Sequence, residues 1–286
     1  MQSSDPRLFA KALAALQKAR YEDAERDFKK VLRAEPRHFG ALNLYAVLLM
    51  QTGRFAEAEP LLRKASTVDP TSDATFYNLG LTLKHLKRPT DALDAFSRSI
   101  ALKPVNAESW NNRGSVYNDL CRYAEAVKDF DQAIELNPAY AEAMSNRGRS
   151  FLLEERYDES AAAFDRALKT NPSLPEAWMG LGIALFRLKN WNDALKALEA
   201  AIKLRSNFQE AWIAAGSCQI ELNQPADALR TFEIALNLDR KNPTAWLGLA
   251  NGLLAMNQPD KALEAGDSAL RIAPESIEIL IGRSNL

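Results

Sequence analysis

Large and small side chains recur along this chain on a fixed 34-residue step. Counted from residue 5, the fourth position of each step is large and apolar: Leu8, Leu42, Phe76, Trp110, Met144, Trp178, Trp212 and Trp246. The eighth is tiny, as Ala12, Ala46, Gly80, Gly114, Gly148, Gly182, Gly216 and Ala250. The twentieth is small again, from Ala24 to Ala262, and the twenty-fourth is mostly bulky, from Phe28 to Phe232, with Gly266 the exception. Positions 4, 8 and 11 share one face of a helix, and positions 20, 24 and 27 share one face of a second. Each step therefore predicts a pair of antiparallel helices.

Eight such repeats follow one another without a gap: 5–38, 39–72, 73–106, 107–140, 141–174, 175–208, 209–242 and 243–276. Residues 1–4 are a short lead-in, and 277–286 open a ninth helix with the apolar stretch Ile277-Glu278-Ile279-Leu280-Ile281. Two arrangements of that stretch are open: the start of a further repeat that is cut short, or a helix lying across the last repeat as a cap. Glycine inside a helix costs about 1 kcal/mol relative to alanine, so five glycines at one repeat position demand a packing reason. Close crossing of two helices, small residue against large, supplies it.

The punctuation fits this pattern. Pro36, Pro70, Pro104, Pro138 and Pro172 stand 34 apart and stop each second helix. Gly53, Pro89, Pro225 and Pro259 are expected between the two helices of a repeat. Ser72 and Asn106 stand where a capping oxygen is needed, and Pro6 and Pro175 suit a first helical turn.

Composition narrows the function. The 36 basic and 37 acidic side chains nearly cancel, which gives no default argument for a nucleic-acid or anionic membrane partner. No apolar run approaches the length of a bilayer span. Cys121 and Cys218 are too sparse for a disulfide framework; they are expected to be buried small side chains in a reducing, cytoplasmic setting. His38 and His85 have no patterned cysteine or carboxylate cluster beside them, so no metal site, cofactor or catalytic constellation is expected. Gly180-Leu181-Gly182 lacks the third glycine and the preceding strand of a dinucleotide fingerprint.

The pattern Trp-x₂-Leu-Gly…Ala-x₃-Phe-x₂-Ala…Pro, seen in Trp178–Gly182 and Ala126–Ala133, resembles the tetratricopeptide repeat over residues 5–276. That resemblance implies an all-α, right-handed superhelical solenoid of antiparallel helix pairs, with first helices lining a concave groove. It further implies a non-enzymatic scaffold that binds a peptide or partner domain.

Groove candidates are first-helix residues at positions 2, 5, 6, 9, 12 and 13: Asn43, Tyr77, Asn78, Asn111, Asn112, Ser115, Asn118, Asn146 and Arg149. Asn78, Asn112 and Asn146 recur at position 6, and an amide both donates and accepts, matching the main chain of an extended peptide. Beyond Arg149 the same positions turn apolar, with Met179, Ile183, Phe186, Ile213, Ile220 and Leu247. Position 5 is never basic, which argues against the carboxylate clamp by which some tetratricopeptide domains grip chaperone tails. The asparagine row also resembles the repeats of bacterial O-GlcNAc-transferase-like proteins. The alternative function is therefore the substrate-recognition region of a larger O-linked glycosyltransferase. The apolar carboxy-terminal stretch offers a further expectation, a homodimer contact.

Overall fold

The computed structural model describes residues 6–284, and among them every regular element is a helix. The expected lead-in, 1–4, lies outside the described residues, as do 285 and 286. The chain divides into two compact bodies, Met1–Pro138 and Ala139–Leu286. The first holds α1 (Pro6–Gln17), α2 (Tyr21–Ala34), α3 (Phe39–Gln51), α4 (Phe55–Val68), α5 (Asp73–His85), α6 (Pro89–Leu102), α7 (Ala107–Asp119) and α8 (Tyr123–Leu136). The second holds α9 (Ala141–Leu153), α10 (Tyr157–Thr170), α11 (Pro175–Arg187), α12 (Trp191–Leu204), α13 (Gln209–Glu221), α14 (Pro225–Leu238), α15 (Pro243–Ala255), α16 (Pro259–Ile272) and α17 (Ile277–Ser284).

The glycine–aromatic pattern explains how the two helices of a pair come together. A Cβ built on Gly80 would lie 2.7 Å from the Phe96 ring, and one on Gly114 would lie 2.8 Å from Phe130. Gly216 stands in the same relation to Phe232, at 2.7 Å, and Gly182 to Leu198, at 2.6 Å. The bulky residue of the second helix fills the space that the first helix leaves by having no side chain there. Phe28, Phe96, Phe130 and Phe232 are accordingly buried.

Between the helices of each pair, one residue takes a left-handed backbone: Ala19, Gly53, Lys87, Cys121, Glu155, Lys189, Asn223 and Asn257, again 34 apart. The amide after it closes back onto the helix, as in Arg20 N–H to the Ala15 carbonyl (2.9 Å) and Arg88 N–H to that of Leu83 (3.0 Å). This is the Schellman closure, and only Gly53 meets its φ without cost. Pro89, Pro225 and Pro259 do not lie between helices as expected. They open α6, α14 and α16, where a missing N–H is harmless. Ser72 and Asn106 do cap, accepting from the Thr75 and from the Glu108 and Ser109 amides. His38 caps α3 through Nδ1, 3.1 Å from the Ala41 nitrogen.

In the first body, α1 touches α3, α3 touches α5 and α5 touches α7, whereas second helices do not meet one another. The first helices thus form the inner row. The second body repeats this with α9, α11, α13 and α15. There α17 packs on α15 and α16 through buried Ile279, against Leu247 and Ala269, so it covers the last pair; Ile277 and Leu280 are exposed.

Candidate functional site

On the inner row of the first body, helical geometry sorts the polar side chains into two stripes. Positions 5 and 12 of a repeat are seven apart and point one way, toward the next pair; positions 6, 9 and 13 point another. Asn43, at position 5, is spent on structure: its Nδ2 donates to the Phe39 carbonyl (3.2 Å) and its Oδ1 accepts from buried Thr75 (2.8 Å). Asn111 and Asn118, at positions 5 and 12, are buried. All three were expected on an open groove wall; Asn111 and Asn118 are buried instead, and Asn43 is half-buried with its amide engaged.

The second stripe behaves differently. Asn78 is half-buried on α5, and its side chain makes no hydrogen bond among the described residues. On α7, Asn112 uses Nδ2 twice, toward the Glu108 carbonyl (2.9 Å) and the Tyr77 hydroxyl (3.2 Å), and its Oδ1 has no partner. Tyr77 is fixed in turn by edge-on packing of its ring against Phe96 at 6.0 Å. Lys84 Nζ donates to Ser115 Oγ at 2.7 Å and ties α5 to α7. The His85 ring lies flat on Phe55 at 4.1 Å. Together these helices wall a cleft of 630 Å³, lined by Leu81, Lys84, His85, Lys87, Pro89, Asn112 and Asp119.

A buried ion pair joins α7 to α8. Arg113 grips Asp129 with Nε and Nη2 (2.7 and 2.8 Å), reaches Ser97 with Nη1 (3.1 Å), and lies over the Trp110 ring. Burial pushes the Asp129 carboxyl up, and the Arg113 guanidinium pulls against that shift. No pattern in the repeat foretold this pair, because only Lys11 and Asp27 place opposite charges at the same two positions.

The inner row of the second body has another character. Asn146 is half-buried, its carbonyl accepting from Ser150 (3.2 Å), and Arg149 is exposed. Further along, position 6 is Gly180, Ala214 and Gly248. A smaller cavity of 190 Å³ lies here, bordered by Phe186, Ser217, Ile220, Glu221, Gly248 and Asn251, with Phe232 beneath. Phe186 and Ile220 give this cavity an apolar side, while Ser217, Glu221 and Asn251 share its border.

The two thiols part company. Cys218 is buried, and desolvation pushes it up to about 12. Cys121, expected to be buried as well, is exposed, because it takes the left-handed turn position between α7 and α8. Among the described residues no helix is long and apolar enough to cross a membrane.

Comparison with known proteins places this geometry. Models of the Tetratricopeptide repeat match residues 9–73, 77–141, 119–175 and 146–207, and a second such model matches 190–250 and 219–281. No curated protein matches the chain. Among solved structures, MamA is 27% identical, with a TM-score of 0.55 over 56% of this chain and 94% of that one. YrrB, a tetratricopeptide protein with an unusual peptide-binding site, is 24% identical, with a TM-score of 0.55 over 67% of this chain and 99% of its own. A tetratricopeptide repeat protein from Parabacteroides merdae is 18% identical, with a TM-score of 0.67 over 86% and 97%. The last two, below 25% identity, share the fold alone. With repeat models matched along most of its length and helix pairs every 34 residues, the chain belongs to the tetratricopeptide repeat family.

Proposed function

We propose that this chain is a protein-interaction scaffold whose first body holds an extended peptide against α5 and α7. One observation carries the reading: Asn78 and the Oδ1 of Asn112 have no protein partner, and they stand at the same repeat position on neighbouring inner helices. Both side chains are half-buried with solvent within reach, and an extended main chain presents the donors and acceptors that would replace that solvent. Tyr77 orients the Asn112 amide, while Lys84 and Ser115 join the two helices that carry the row. The peptide-binding site of YrrB, a protein of the same fold, supports this use of the repeats. Two free cysteines, neither bridged, suit the reducing cytoplasm as its setting. The glycosyltransferase alternative rests on the asparagine pattern alone.

The test is an array of random dodecapeptides, acetylated and amidated at their ends, probed with the full chain. Binders should emerge, and N78A/N112A should weaken them about tenfold, the net worth of one or two hydrogen bonds. Thermal stability should hold or rise, since alanine is the better helix former. Unchanged affinity would remove the two amides from the site.

A further inference from the structure

We infer that the cleft between α5 and α7 receives a carboxylate of the captured peptide, an inference that rests on the reading above and adds the chemistry of one ligand group to it. The donors come first. Lys84 lines the cleft and donates to the Ser115 hydroxyl oxygen at 2.7 Å, which holds its ammonium in place. Lys87 sits in the left-handed turn after α5 (φ 59°), is exposed, and has no ion pair among the described residues. The neighbouring Arg88, by contrast, is committed to Glu59 and Asp91. The cleft therefore collects an ammonium held in place and an ammonium without a counter-ion.

Charge sets the kind of acceptor. Of its fixed charges, the lining carries Lys84 and Lys87 against Asp119, an excess of one positive charge. One carboxylate brings the cleft to neutrality, whereas a doubly charged phosphate would overshoot it and face Asp119 across the space. Pro89 opens α6 at the rim, and no side chain caps that end, so the positive end of the helix adds to the same field. The flat Phe55–His85 pair and Leu81 provide an apolar shelf for the stem that carries the carboxylate. The residues concerned stand at positions 9, 12, 13 and 15 of the third repeat and position 9 of the fourth. They are not the position-5 and position-9 lysine set of the chaperone-tail clamp.

The same dodecapeptide array decides it, with each peptide present as the amide and as the free carboxylic acid. Binders to the unaltered chain should be enriched in Asp or Glu at one register, or bind only as the free acid, which would assign the carboxylate to the chain end. K84M/K87Q should weaken those binders about tenfold, the range of a charge-assisted hydrogen bond, and leave their Glu→Gln counterparts unchanged. Binders without acidic enrichment, or an equal loss for the Glu and Gln forms, would overturn the carboxylate and leave peptide capture standing. An array with no binders at all would remove both readings.

Discussion

The inner rows of the two bodies are built on one repeat and present opposite chemistry. In the first body, position 6 offers the amides of Asn78 and Asn112 beside a cleft of 630 Å³. In the second, the same position is Asn146 in its first repeat and then falls to Gly180, Ala214 and Gly248 beside one of 190 Å³. The layer beneath accounts for the glycines. A Cβ on Gly180 would lie 2.2 Å from the Phe164 ring, and one on Gly248 would lie 2.3 Å from that of Phe232. Both rings are buried and have nowhere to retreat. The first body also rests on an ion pair, Arg113–Asp129, where the second has Ala163, Ala197, Thr231 and Ala265 at the position of Asp129. A solenoid can thus keep its backbone and change the character of its surface by what it packs one layer down.

The largest expected effect breaks the buried ion pair of the first body. Arg113→Leu leaves Asp129 buried and unpaired, at a cost of about 3–5 kcal/mol in denaturant unfolding. R113L/D129L together should recover most of it. Equal losses in the single and double variants would mean that the pair is not the support it is taken to be.

Moving the amide of the first body into the second comes next. Gly180→Asn drives a side chain into the Phe164 ring and should cost about 1–3 kcal/mol, read as a lowered melting temperature. G180N/F164A should lose less than the sum of the two changes. A G180N protein as stable as the unaltered chain would sink the packing explanation of the bare row.

Acid sharpens the contrast more gently. Bonds from Arg54 chiefly, with help from Lys29 and Tyr45, lower the Glu25 carboxyl of the first body from its ordinary 4.5 to about 2. A carboxylate so lowered contributes stability that is present above pH 4.5 and lost as the pH falls toward 2. Unfolding measured across that window should lose stability, and E25Q should flatten the slope; an unchanged slope would assign the acid sensitivity elsewhere.

Much of this was legible in the chain itself. The 34-step recurrence carried the helix pairs, and the glycine–phenylalanine opposition carried their packing, because both rest on side-chain size at fixed helical spacing. Ser72 and Asn106 could be read as caps for the same local reason. The fate of individual asparagines could not. Asn43, Asn111 and Asn118 have the same chemistry as Asn78, and what separates them is the neighbouring pair against which positions 5 and 12 press. Nor did composition show that Cys121 falls at a left-handed turn, a position filled here by four residue types besides glycine and cysteine's own.

Hydrogen exchange on the full chain, free and saturated with a dodecapeptide selected from the array, puts the contrast between the two rows to the most direct test. Slowed exchange in α5 and α7, with α11, α13 and α15 unchanged, is the expected result. Protection confined to α11, α13 and α15 would contradict it and transfer the binding surface to the apolar row.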